Sequence, residues 1–134
     1  MSAAPLIVSA VAVVRDRAVL MVTARGREVY YMPGGKVDPG ETAVQAAARE
    51  AFEEVSLEFD PDDLEELFEV RTQAHGEPDG RQVHMRVFRG WTDDDPVPSG
   101  EVGAVHWTTT EDAGRCPPAG VEVLRRLADL GLID

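Results

Sequence analysis

Residues Met32 to Leu57 read MPGGKVDPGETAVQAAAREAFEEVSL, and the character of the chain is decided there. Pro33, Gly34, Gly35, Pro39 and Gly40 crowd so many breakers together that neither a strand nor a helix is expected. Backbone bared in such a loop can approach a phosphate or a metal. Thr42 is placed as an N-cap, and Gln45, three residues on, completes a capping box. The spacing then predicts a helix over Ala43 to Val55. Val44, Ala47, Ala48, Ala51, Phe52 and Val55 form its buried stripe, the alanines implying close packing on a sheet. Glu50, Glu53 and Glu54 recur at i, i+3, i+4 and project from the opposite and adjacent flank. Like charges at that spacing repel by a few tenths of a kcal/mol per pair, and Arg49 offsets only part of it. Beside a Gly-Gly loop and a further carboxylate, Glu41, the triad reads as a cation site rather than a solvated face. Mg²⁺ takes carboxylate and carbonyl oxygens and commonly carries a substrate phosphate with it.

These residues resemble the Nudix box: G, five residues, E, seven residues, R-E-U, one residue, E-E, one residue, G-U, where U is bulky and aliphatic. Gly35, Glu41, Arg49, Glu50, Glu53, Glu54 and Leu57 fall in register. Ala51 is small for the first U, and Ser56 replaces the second glycine. A glycine just beyond a helix usually takes the left-handed conformation, so Ser56 is expected to strain the helix exit by ~1 to 2 kcal/mol while leaving the carboxylates intact.

The resemblance implies an α/β fold, the Nudix α/β/α sandwich, with a mixed sheet held between the box helix and a C-terminal helix. It implies a hydrolase that cleaves a pyrophosphate bond in a nucleoside diphosphate linked to another moiety X. Mg²⁺, with Mn²⁺ as a substitute, would be held by Glu50, Glu53, Glu54 and the Gly34 carbonyl, and would neutralise phosphate charge and acidify water for in-line attack. Glu53 or Glu101 would be the base, Glu101 because such proteins often carry a further glutamate in a loop outside the box. Arg49 would hold the glutamates in place. The second acid that many relatives carry three residues after the first is Ala104 here. MutT-type enzymes carry a PPAN run whose asparagine reads an oxidised purine. The corresponding run here is Pro117-Pro118-Ala119-Gly120, without that amide, so a broader (d)NTP or ADP-ribose substrate is expected over strict 8-oxo-dGTP specificity. A non-catalytic nucleotide sensor and an unrelated domain with an acidic surface helix are the alternatives.

Working outward, the 134 residues, 43% of them hydrophobic, suffice for one core and predict a single domain over 1–134. A net charge of -12 argues against a nucleic-acid polymer or an anionic membrane as partner. One cysteine, Cys116, excludes an intramolecular disulfide and suits a reducing compartment. The apolar run Leu6 to Val14 lacks a charged leader and is too short to span a bilayer, so the protein is expected in the cytoplasm. Homodimers are frequent in similar proteins, and no patch in the sequence identifies an interface.

Leu6 to Val14 and Ala18 to Thr23 read as strands joined by a turn at Arg15-Asp16-Arg17, and Val29 to Met32 as a short strand delivering the glycine loop. Arg25 and Lys36, the chain's only lysine, are candidates to touch substrate phosphates. Tyr30 and Tyr31 face opposite ways in an extended segment, and Tyr31 is the candidate to stack on a base. Glu58 to Glu66 is read as a solvated acidic linker. Glu65 to His75 and Gln82 to Trp91 are expected as strands joined by a loop over Gly76 to Arg81. Thr92 to Gly100 reads as a loop, Ala104 to Thr108 as the last strand, and Pro118 to Leu132 as a closing amphipathic helix. His75, His84 and His106 lack metal-type spacing and are read as structural.

Overall fold

A run of apolar residues with no polar alternation belongs to a strand covered on both faces, and β1 (Leu6–Arg15) is such a strand. The structure, a computed structural model, describes residues 4–73 and 80–134. Its further elements are β2 (Ala18–Ala24), β3 (Gly34–Lys36), α1 (Ala43–Val55), β4 (Glu65–Gln73), β5 (Gln82–Gly90), β6 (Val102–Thr108) and α2 (Pro118–Asp129). The strands lie in the order β4-β5-β1-β2-β6, with β3 also paired to β1. β1 runs parallel to β5 and every other pairing is antiparallel, so the sheet is mixed.

Side chains alternate along β1 and thereby divide the core. Val11 and Val13 point to one face, where Leu20, Ala47, Ala51, Val55 and Leu57 pack with them. Ala10 and Ala12 point to the other, against Met21, Val123, Leu124 and Leu127. Helix α1 therefore covers one face and α2 the other, giving the α/β/α sandwich. On its edge away from β5, β1 is shared: Val8 to Ala10 pair with β3, while Val14 and Arg15 pair with β2. The sheet forks between these two partners.

Several boundaries differ from the sequence expectation for identifiable reasons. Val29 to Met32 form no strand beyond a single bridge, Val22↔Tyr31. The Tyr30 N–H donates to Arg115 O (2.9 Å) instead of continuing a ladder. The acidic segment after α1 is not merely solvated. It contains a 3₁₀ turn, Pro61–Asp63, capped by Asp60, and its Phe59 and Leu64 pack against the core beneath α1. Helix α2 stops three residues early because Gly131 takes φ 77°. The turn after β1 has Asp16 and Arg17 at φ 50° and 63°, a primed two-residue hairpin made without glycine. His75 and most of the Gly76 to Arg81 loop lie outside the described residues.

Candidate active site

The glycine pair is part of the sheet, contrary to the loop expected from its composition. The reason is close approach, not turning. A Cβ on Gly34 would lie 2.2 Å from the Ser9 carbonyl oxygen, and one on Gly35 would lie 2.6 Å from the Glu50 carboxyl. Gly34 must lack a side chain for the segment to pair with β1, and Gly35 leaves room for the Glu50 carboxyl of α1 against it. Val11 N donates to Pro33 O at 2.9 Å and Val37 N to Ile7 O at 3.2 Å, so the intervening even-numbered residues turn their backbone the other way. Gly34 N accordingly donates to Glu54 Oε2 at 3.1 Å, and Lys36 O accepts from Arg49 Nη2 at 3.1 Å.

Helix α1 begins as expected, with the Thr42–Gln45 capping box formed in both directions. Its faces differ from expectation. Counting ~100° per residue from Ala47, Glu50 and Glu54 fall at about −60° and −20°, on the packed side, while Phe52 falls at about 140°. Phe52 is 54% exposed, and Ala46 is buried in its place. The glutamates are thus not all on an outer flank: Glu54 is driven into the protein beside Gly34, and Glu53 stays exposed.

Arg49 ties this acidic surface together. Its Nε and Nη2 grip Glu41 at 2.8 and 3.0 Å, and Nη1 donates to Glu50 at 2.9 Å and Glu53 at 3.4 Å. Glu41 is held down at about 2, chiefly by its hydrogen bond to Arg49 and then by the Asp38 N–H. Glu54 has no such cation. Burial, followed by the facing Glu50 and Glu53 carboxylates, pushes it up to about 8 against the opposing hydrogen bond from Gly34. Two carboxylates in contact in a half-buried setting need a proton or a cation between them. Among the described residues no three His, Cys, Asp or Glu side chains stand as a finished cation cage. The donors nonetheless fit a hard divalent ion: Glu50, Glu53 and Glu54 line one cleft with Gly34.

Glu101 joins them through the loop before β6. Val97 N and Ser99 N donate to the Val55 and Glu54 carbonyls, both at 2.9 Å, which satisfies the end of α1. Arg25 fastens the same loop, its Nε donating to Gly100 O at 3.1 Å and its backbone N to Glu101 O at 2.9 Å. Arg25 is not among the residues lining the cleft, and neither is the exposed Lys36, whereas Gly34, Gly35 and Tyr31 are. The contribution of Arg25 in this arrangement is to place Glu101.

The cleft measures about 560 Å³. Its acidic end is continuous with an apolar end made by Leu6, Val8, Met32, Val83, Met85 and Pro117. Sequence reasoning missed this end, because those side chains come from four separate segments and each reads locally as ordinary core. Gly120 also has a local reason: a Cβ there would meet the Cys116 Cβ at 2.8 Å, so the position of the missing amide is sterically closed.

The family model of the NUDIX domain matches residues 5–129. The MutT protein of Methanosarcina mazei superposes with a TM-score of 0.77 at 20% identity, covering 98% of each chain. An Ap4A hydrolase of C. elegans gives 0.71 at 24% identity over 93% of this chain and 96% of that one. A bifunctional NMN adenylyltransferase/ADP ribose pyrophosphatase of Francisella tularensis, complexed with AMP and a Mn ion, gives 0.70 at 20% identity, covering 94% of this chain and 42% of the other. A comparison with curated protein sequences gives no match. With its family match spanning nearly the whole chain, and with Gly35, Glu50, Glu53 and Glu54 of its box lining one cleft, this protein belongs to the Nudix hydrolases.

Proposed function

We propose that the chain hydrolyses a pyrophosphate bond in a small nucleotide, a nucleoside diphosphate linked to a further group, with the help of a divalent cation. The observation that carries this reading is the joining of two unlike halves in one cleft: Glu50, Glu53, Glu54 and Glu101 with Gly34 at one end, an apolar surface with Tyr31 at the other. The acidic end repels phosphates unless a cation intervenes, and the apolar end accepts a base. A bound Mg²⁺ or Mn²⁺ would neutralise phosphate oxygens and lower the pKa of water. Glu50, Glu53 and Glu54 would hold it.

Arg49 binds Glu41, Glu50 and Glu53 and leaves both Glu54 and Glu101 without a guanidinium. With Glu50, Glu53 and Glu54 of α1 assigned to the cation, Glu101, which lines the same cleft from the loop before β6, takes the proton from the attacking water. The apolar end offers few polar groups for reading a base, and Gly120 closes the position where an amide would do so. Substrate choice is correspondingly broad. The solved relatives named for Ap4A and for ADP-ribose support substrates of that size.

The test is product release from dNTPs, oxidised dNTPs, ADP-ribose and dinucleoside polyphosphates, with Mg²⁺, Mn²⁺ or EDTA. Metal-dependent cleavage of at least one compound is expected. Glu101→Gln should lower kcat by ~10²-fold or more at an unchanged metal requirement, while Glu54→Gln should raise the metal concentration needed. Nucleotide binding without turnover in any metal would replace this reading with that of a ligand sensor.

A further inference from the structure

Tyr31 lines the cleft, but its neighbour Tyr30 faces a second hollow of about 500 Å³, lined also by Thr23, Arg27, Glu28, His106 and Arg115. Its wall is ordered. The Tyr30 and His106 rings stack with centroids 4.3 Å apart and planes 12° from parallel. Thr23 Oγ1 lies 3.1 Å from His106 Nε2, which fixes the imidazole from below. The Arg115 guanidinium sits 5.5 Å from the Tyr30 ring centre, and its carbonyl accepts the Tyr30 N–H.

The charge pattern makes this hollow unusual in the molecule. The chain carries a net charge of -12, and arginines elsewhere are largely neutralised by carboxylates, as in Arg15–Asp95, Arg17–Asp134, Arg49–Glu41 and Arg86–Glu66. Among the described residues, Arg27, Arg89 and Arg115 have neither a side-chain hydrogen bond nor an ion pair. Arg89 lies over Trp91. The other two converge on this one hollow. Glu28 stands on the same rim and pairs with neither. In a protein with carboxylates to spare, two guanidiniums left without them beside one hollow match the oxygens of a doubly charged phosphate, which the planar guanidinium fork takes two at a time.

We infer that this hollow is a second binding site, for a dianionic phosphate group held between Arg27 and Arg115. It stands on these residues alone and does not depend on the hydrolase reading. Free phosphate and a phosphorylated small molecule share the chemistry, and the experiment separates them.

The protein, in EDTA and at constant ionic strength, is titrated with inorganic phosphate, ribose 5-phosphate and a nucleoside monophosphate, following the His106 ring resonances by NMR and affinity by calorimetry. A saturable shift of the His106 signals is expected. A response to inorganic phosphate alone assigns free phosphate; a response confined to the esters assigns a phosphorylated metabolite. The double variant Arg27→Ala/Arg115→Ala should weaken binding by ~tenfold or more, since each charge-assisted hydrogen bond lost is substantial. Glu28→Gln should tighten it by removing a like charge. Both arginines are exposed, so the variants are expected to fold, and unchanged thermal unfolding checks this. His106 signals that stay unmoved by all three ligands, or a His106 shift that survives in the double variant, would overturn the inference.

Discussion

Ser56 occupies φ 60°, ψ 25° at the end of α1, with its N–H on Phe52 O and its hydroxyl donating to Val97 O at 3.1 Å. A side chain in the left-handed region costs ~1 to 2 kcal/mol, and one exposed hydrogen bond returns only part of that. Ser56→Gly should therefore raise stability in urea by about 0.5 kcal/mol, while the β-branched Ser56→Val should lower it by about 2 kcal/mol. A loss in the glycine variant would mean that the Val97 bond outweighs the strain. Glu54 sets a pH dependence. Its folded-state value of about 8 lies above the 4.5 of the free group, so the native protein retains a proton that the unfolded chain releases. Metal-free protein should lose stability as pH rises between these two values and show no further change from this group above them. Thermal unfolding in EDTA at pH 5 and pH 8 checks this. Glu54→Gln should flatten the decline, and Mg²⁺ should restore the wild-type protein at pH 8; a flat profile in the wild type would refute the assignment.

At the scale of elements, β3 and α1 act as one device. The two glycines serve different neighbours, and substitution should separate them. Gly34→Ala drives a Cβ into rigid backbone at Ser9 and Ala10, so β1–β3 pairing should loosen at a cost of about 1 to 3 kcal/mol. Gly35→Ala meets only the flexible end of Glu50. It should leave unfolding nearly unchanged while displacing that carboxylate, so that the metal concentration for half-maximal activity rises. Equal destabilisation by both would show that the close approach is purely structural. At the other end of the device, the capping box at Thr42 should contribute about 1 kcal/mol, read as the loss on Thr42→Ala. The box motif was legible because capping and helical periodicity are local. The strand at Gly34–Lys36 was not, because its composition signals a turn and its pairing depends on a partner some 25 residues earlier, at Ser9.

For the whole molecule, the net charge of -12 opposes the approach of a polyanionic nucleotide. Raising ionic strength shortens the Debye length from ~30 Å at 0.01 M to ~8 Å at 0.15 M. At fixed free Mg²⁺, kcat/KM should therefore rise severalfold over that range. A fall would show that local cations steer the substrate instead. Part of that charge is met within the protein, where Glu41 pairs with Arg49 and Glu66 with Arg86.

The sequence alone determined the helix Ala43–Val55 with its N-terminal cap, the Nudix box and hence the family, an apolar strand over Leu6 to Val14 and the closing helix, because each is written in local periodicity or in fixed spacing along the chain. Tertiary structure decided which carboxylates are buried, since the helical positions of Glu50 and Glu54 acquire meaning only once a sheet lies beneath Ala47 and Ala51. It also decided that Glu101 reaches the cleft, through backbone bonds from Val97 and Ser99 to the end of α1 and from Arg25 to Gly100. The apolar end of the cleft and the arginine-lined hollow belong to the same category. Their residues are distant in sequence, and only the packing of two helices on one forked sheet brings them together.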